Sequence, residues 1–124
     1  MHVRHPLWRA VAVATLLTGC DQSAQLEARQ LTGGDARRGA AHIESYGCGA
    51  CHSIPGVQTA KSTVGPPLSG FSGRTYVAGS LPNSAEHLVL WIRHPQQVDP
   101  RTAMPELGVS EADARDIAAY LYEH

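Results

Sequence analysis

The chain has 124 residues, which is room for one domain. Its 43% apolar content overstates the core, because much of it is alanine and Phe71 is the only phenylalanine. Few large side chains are present to fill an interior, and a large planar apolar cofactor would fill it. The formal charge of −1, the pI near 6.6 and the lack of any Lys/Arg cluster beyond Arg37-Arg38 argue against nucleic acid as a partner.

The first segment, residues 1–19, has the pattern of a signal peptide. Arg4 and Arg9 precede a short apolar run, residues 10–17, which is too brief to span a bilayer comfortably. The arginines before this run and the polar stretch after it disfavour a buried N-terminal helix. Removing Arg4 and Arg9 from the 10 basic residues would leave 8 against 11 acidic residues, a net charge of −3 on the exported chain.

Leu17-Thr18-Gly19-Cys20 ends this segment and resembles the bacterial lipobox, in which a peptidase cuts before a cysteine whose sulfur carries a diacylglycerol. A chance free cysteine is the alternative. Several acyl chains would hold the protein stably at a membrane. Asp21 resembles the inner-membrane retention signal of enteric bacteria, which favours the periplasmic face of that membrane. Residues 20–32 could form a loose helix, but their polar composition predicts a flexible tether to the lipid anchor.

Cys48, Cys51 and His52 form a C-x-x-C-H segment for which several chemistries compete. A disulfide across two residues is a strained ring, a thioredoxin-like site needs a βαβ setting, and zinc needs further ligands at suitable spacing. The histidine decides the matter, because C-x-x-C-H is the c-type haem attachment signature. On one helical turn, positions i, i+3 and i+4 share a face, so both thiols reach one porphyrin and the imidazole reaches its iron. We predict one haem c, covalent through Cys48 and Cys51, with His52 as an axial ligand.

Met104 is the candidate for the second axial ligand of the iron. An electron carrier fills both axial sites, because an open site admits oxygen or peroxide chemistry. Met1 would leave with the signal peptide, and Met104 lies in a proline-punctuated loop, residues 99–105. A lone methionine is more often a core filler. Three histidines are the alternative ligands: His87, His94 and His124.

From residue 33 to the C-terminus the chain resembles the class I c-type cytochromes, in the compact bacterial monohaem subgroup. The resemblance rests on C-x-x-C-H and on four further segments: GDARRG at residues 34–39, GPPL at 65–68 with the Gly70-Phe71 and Gly73-Arg74 pairs, residues 88–95 with Trp91, and residues 99–105. It implies an all-α fold in which the N- and C-terminal helices cross and loops wrap around a covalently bound haem. The stretch from residue 76 onward is also similar to the cytochrome c domain of haem–copper oxidase subunit II.

The resemblance implies roles for residues around the haem. In this family the first proline after the glycine, here Pro66, accepts the second ring proton of the proximal histidine through its carbonyl. Three further residues match positions close to the haem: Arg74 and Thr102 near a propionate, and Trp91 beside the methionine ligand. An aromatic propionate partner seen elsewhere in the family has no obvious equivalent in residues 75–83, where Tyr76 or Asn83 are the candidates.

The last segment predicts the second of the two crossing helices. Ser110 is the expected N-cap, and Ile117, Tyr120 and Leu121 form one apolar stripe at helical spacing. The resemblance places a small residue at the helix crossing, which Gly39 or Ala40 would supply opposite Tyr120. We expect the role of Tyr120 to be structural.

Together these features predict a membrane-tethered monohaem electron carrier of a respiratory chain, with no catalytic residues and no enzyme activity of its own. The expected partners are redox proteins: a quinol-oxidising complex or dehydrogenase as donor, and a terminal oxidase or reductase as acceptor. One alternative is a haem-bearing subunit of a dehydrogenase or oxidase complex. Another is a haem ligand sensor or peroxidase-like protein, which requires Met104 to be displaceable.

Overall fold

The computed structural model describes residues 19–124. The predicted signal peptide and the side chain of the predicted lipidation site, Cys20, lie outside the described residues. The described part contains five α-helices: α1 Gly19–Thr32, α2 Ala36–Ser45, α3 Ala85–Arg93, α4 Pro95–Val98 and α5 Glu111–Glu123. A short antiparallel hairpin of β1 Tyr76–Val77 and β2 Leu81–Pro82 precedes α3, with Tyr76 opposite Pro82. No helix within residues 19–124 is long and apolar enough to cross a membrane.

Helices α2 and α5 cross at Gly39. A Cβ atom at this position would overlap the carbonyl of Asp116 and lie 2.9 Å from the Cβ of Tyr120. Any side chain would therefore force the two backbones apart, whereas glycine lets them touch. The predicted helix crossing is confirmed, and Gly39 rather than Ala40 supplies the closest contact.

Side-chain caps fix where the helices begin. The Asp35 carboxylate accepts a hydrogen bond from the backbone N–H of Arg37 at 2.9 Å, and the Ser110 hydroxyl accepts one from Asp113 at 3.1 Å. Each cap satisfies a backbone donor that the first helical turn leaves without an intrahelical partner. Ser110 is thereby confirmed as the N-cap of α5.

One apolar cluster lies beneath the crossing. Large buried side chains from four separate elements contribute to it: Ile43, Val77, Leu88, Ile117 and Leu121. Tyr120 completes the predicted stripe on α5, and its hydroxyl donates to the Pro55 carbonyl at 2.6 Å. That bond satisfies the one polar atom of the Tyr120 side chain, which agrees with a structural role.

Residues 20–32 are not the flexible tether that their composition predicted. They lie in helix α1, which packs against α5. Ala28 is 2% exposed and Thr32 1% exposed, one helical turn apart, and the Arg115 guanidinium of α5 donates to the Thr32 carbonyl at 2.9 Å. From residue 21 onward the rest of the helix is exposed or half-buried and mostly polar, apart from Leu26 and Leu31, and its contact with the domain is narrow and made by small side chains. The average composition of residues 20–32 therefore did not indicate this contact.

Candidate haem site

A cavity of about 570 Å³ lies at the centre of the domain. All eight sequence-predicted haem residues line it: Cys48, Cys51, His52, Pro66, Arg74, Trp91, Thr102 and Met104. Protein interiors are otherwise close-packed, and sites for cofactors occupy roughly 300–1,000 Å³. Among the lining residues that the structure describes, Arg74 alone carries a full charge at neutral pH. The cavity is thus shaped for a large apolar group with an anionic edge.

The C-x-x-C-H segment forms a 3-10 turn that exposes both cysteines to the cavity. The N–H groups of Cys51 and His52 both bond to the Cys48 carbonyl, at 3.2 and 3.1 Å. Gly49 lies on the far side, where a Cβ atom would come within 2.8 Å of Ala60 Cα. The two thiols are not joined in a disulfide, and burial raises the pKa of the Cys48 thiol. Reactive dithiols instead have a lowered pKa, so the direction of this shift is the opposite of the one that a thioredoxin-like site needs.

The His52 ring is oriented by the loop that follows it. Its Nδ1 lies 2.7 Å from the Pro66 carbonyl oxygen, the contact that the family resemblance implied. A carbonyl can only accept, so Nδ1 carries the proton and Nε2 keeps the lone pair that a metal ion needs. Gly65, the first residue of the GPPL segment, has a role that the sequence did not predict. A Cβ atom there would lie 2.6 Å from His52 Cε1 and would displace the ring.

Arg74 is fixed at the cavity wall by the same loop. One of its three guanidinium nitrogens, Nη2, donates to the carbonyls of Pro67 at 2.6 Å and Ser69 at 3.1 Å. The guanidinium also lies over the Phe71 ring, 4.9 Å from its centroid. A planar group held in this way keeps further N–H donors for an anion such as a propionate.

Of the two proposed propionate partners in residues 75–83, only Tyr76 lines the cavity among the described residues. The side chain of Asn83 forms hydrogen bonds within the protein chain instead. Its amide donates to the carbonyls of Phe71 and Arg74, both at 2.9 Å, and its oxygen accepts from the Tyr122 hydroxyl at 2.7 Å. Asn83 therefore joins the hairpin to α5.

Met104 lies half-buried in the loop that follows α4 and lines the cavity. Its N–H donates to the Thr102 hydroxyl at 3.2 Å, which leaves the hydroxyl proton of Thr102 available for another acceptor. None of the three alternative histidines is among the described residues that line the cavity. Each bonds elsewhere through Nδ1: His87 to the Pro82 carbonyl, His94 to Glu106 and His124 to the Tyr120 carbonyl.

A polar network that no sequence pattern indicated adjoins the cavity. Tyr46 lines the cavity, and its hydroxyl donates to Asp113 at 2.7 Å. The hydrogen bonds from Tyr46 and Ser110 hold the pKa of Asp113 below its ordinary value although partial burial opposes this. The carboxylate of Asp113 also lies 3.3 Å from His42 Nε2. Helix α2 is thereby tied to α5 beside the haem site.

The family model for cytochrome c matches residues 36–124. The chain belongs to the cytochrome c family. Cytochrome c oxidase subunit 2 of Alkalihalophilus pseudofirmus is 37% identical over 87 residues, which are 69% of this chain and 25% of that protein. The chain thus spans about a quarter of that relative's length. No solved structure matches the chain.

Membership of the cytochrome c family confirms the class I resemblance and the all-α fold, with one short hairpin in addition. Its cofactor is haem c, covalent through Cys48 and Cys51, and its activity is electron transfer. The residues present fit this group. Two unbridged thiols, an imidazole with a free Nε2 and one arginine meet in a single apolar cavity.

Proposed function

We propose that this cytochrome c is an exported, lipid-anchored carrier of single electrons in a respiratory chain. The observation that carries the proposal is the convergence of His52 and Met104 on the cavity that holds the cysteines. An imidazole and a thioether fill both axial sites of a haem iron, which suits electron transfer rather than oxygen or peroxide chemistry.

The bound haem supplies a one-electron iron couple. Cys48 and Cys51 hold it in place, so release cannot compete with transfer. His52 provides Nε2 to the iron while the Pro66 carbonyl fixes the ring and raises its basicity. Met104 provides the thioether, which raises the reduction potential relative to a second histidine. The apolar lining excludes water, so that little solvent reorganises when the charge of the iron changes.

Partners are inferred from the relative and from the sequence signals. The relative is a cytochrome c oxidase subunit, which supports a terminal oxidase as acceptor. The proposed donor is a quinol-oxidising complex or a dehydrogenase. Attachment of lipid to Cys20 would place the protein at the periplasmic face of a membrane. Helix α1 has 14 residues, so it would separate the anchor from the domain by about 21 Å or less.

Visible spectroscopy of the haem-loaded protein tests the axial ligands. The oxidised protein should show the far-red charge-transfer band of sulfur-ligated haem, and the reduced protein should not bind carbon monoxide. The band should vanish in Met104→Ala and persist in His94→Ala, whose side chain bonds to Glu106 instead. A wild-type protein that lacks the band and binds carbon monoxide would be a ligand sensor or peroxidase-like protein, not a carrier.

The second candidate function is a haem-bearing subunit of an oxidase or dehydrogenase complex. The similarity to an oxidase subunit favours it. Gentle extraction of membranes followed by size-exclusion chromatography distinguishes the two. Haem c that elutes at the mass of the single chain supports the free carrier, whereas haem c that elutes only within a large complex supports the subunit.

A further inference from the structure

The peptide groups around Met104 are held by side chains rather than by helix or strand pairing. Gln96, in α4, donates its Nε2 proton to the Met104 carbonyl at 2.7 Å. On the other side, the Met104 N–H donates to the Thr102 hydroxyl at 3.2 Å. Two side chains therefore fix the backbone of this one residue at both its donor and its acceptor.

Apolar packing within the protein chain gives this loop little support. Ala103 and Pro105, on either side of Met104, face the cavity and are not packed against other parts of the chain that the structure describes. The methionine side chain has three rotatable bonds and adapts to many geometries. With exposed neighbours and a flexible side chain, the distance between the sulfur and a bound iron depends on where the backbone is held.

Gln96 is half-buried, and the position of its amide oxygen is energetically unfavourable. Its Oε1 is buried and has no hydrogen-bond partner among the described residues. An unpaired buried amide oxygen is unfavourable, so ordinary packing alone would favour an apolar side chain here. Turning the amide over would place this oxygen against the Met104 carbonyl, and both atoms are acceptors. The hydrogen bond to the Met104 carbonyl is therefore the interaction that a glutamine makes at this position and an apolar side chain does not.

We propose that Gln96 is a positioning residue for the axial methionine. By holding the Met104 carbonyl it keeps the loop closed over the cavity and the thioether on the iron. The inference rests on the proposed function, in which Met104 is the second ligand. Without the bond, Met104 leaves the iron more readily and an external ligand enters more easily.

The test is the binding of imidazole to the oxidised, haem-loaded protein, because imidazole must displace the axial methionine. Gln96→Leu removes the donor at similar volume, and Gln97→Leu is the matched control, since Gln97 is exposed in the same helix. One hydrogen bond corresponds to about a two- to tenfold change in equilibrium. We expect imidazole affinity to rise by that factor in Gln96→Leu, with a weaker charge-transfer band and a lower reduction potential. Gln97→Leu should match wild type.

A merely structural role for Gln96 would lower the thermal midpoint without changing imidazole affinity, and that result would overturn the proposal. Gln96→Glu, which keeps the shape but lacks the N–H donor at neutral pH, provides a second variant should the leucine protein fail to fold. Met104→Ala distinguishes a wrong assignment of the axial ligand from a wrong role for Gln96. If it retains the charge-transfer band and wild-type imidazole affinity, the ligand assignment itself is wrong. If it loses the band while Gln96→Leu behaves as wild type, only the role of Gln96 is wrong.

Discussion

Arg38 of α2 and Asp116 of α5 form a two-point ion pair across the helix crossing, with Nε 2.7 Å from Oδ2 and Nη2 2.9 Å from Oδ1. Asp116 is 4% exposed, and its Oδ1 also accepts the backbone N–H of Asp35 at 2.7 Å. One carboxylate thus binds both the start and the first turn of α2. It acts beside Gly39, where the two backbones touch.

Replacing Asp116 by asparagine should lower the free energy of unfolding by about 1–3 kcal/mol, because the negative charge and one of the two oxygens that accept from Arg38 are lost. Denaturant titration of the haem-loaded protein measures this difference. Glu44→Gln is the control, since Glu44 is exposed on α2 and its side chain makes a long 3.5 Å hydrogen bond with Thr59. It should change stability by about 0.5 kcal/mol or less. Equal effects of the two substitutions would show that the ion pair contributes little.

Acid should destabilise the fold through the same carboxylate. Burial raises the pKa of Asp116, but the hydrogen bonds from Arg38 and the Asp35 N–H, with the charges of Arg38 and His42, lower it further than burial raises it. The pKa of Asp116 is therefore lower in the folded chain than in the unfolded chain. Such a group contributes its full stabilisation above its pKa in the unfolded chain, about 3.9, and this stabilisation is lost as the pH falls through its pKa in the folded chain. Unfolding midpoints measured from about pH 6 down to about pH 2.5 should fall steeply below about pH 4. Asp116→Asn should show a shallower fall.

Gly65→Ala should disturb the proximal histidine. The added Cβ would lie 2.6 Å from His52 Cε1, so the ring or the Pro66 carbonyl must move, at a cost of about 1–3 kcal/mol in unfolding free energy. Loss of the bond to Pro66 should also reduce the basicity of His52 and raise the reduction potential. Redox titration and denaturant unfolding measure both effects. Gly73→Ala is the control, because a Cβ atom there meets nothing within 4 Å; a Gly65→Ala protein with unchanged potential would contradict the expectation.

Helix α1 should detach when its buried face is charged. Ala28→Asp would place a carboxylate against α5, whereas Leu26→Asp changes a residue that is 60% exposed on the same helix. Burying an unpaired charge costs more than about 1.4 kcal/mol, so amide hydrogen exchange in α1 should be at least about tenfold faster in Ala28→Asp. Mass spectrometry of peptides from residues 20–32 measures this. Similar exchange in both variants would argue that α1 is not held by this face.

What could be predicted from the residues alone was local, whereas the helix crossing at Gly39 and the contact between His52 and Pro66 were implied by the family resemblance. C-x-x-C-H, the Ser110 cap and the stripe on α5 depend on spacing within one or two helical turns, and the structure places them as expected. The bonds from Gln96 to Met104 and from Tyr46 to Asp113 join residues whose approach depends on the packing of separate elements. The amino-acid composition did not indicate either of these hydrogen bonds. The docking of α1 escaped prediction for the same reason, since its contact consists of small side chains within a polar segment.

Because helix α1 is packed against the domain, it would fix the orientation of the domain relative to a lipid anchor as well as its distance from it. A coil between lipid and domain would let the domain tumble and present its haem in every direction. With a lipid on Cys20, as proposed above, α1 and its contacts through Ala28 and Thr32 would instead restrict rotation relative to the membrane plane. The protein would then reach a membrane-bound partner by lateral diffusion, with its haem edge held in one preferred orientation. The partner's electron-accepting site would have to lie at the same distance from the membrane and face that edge.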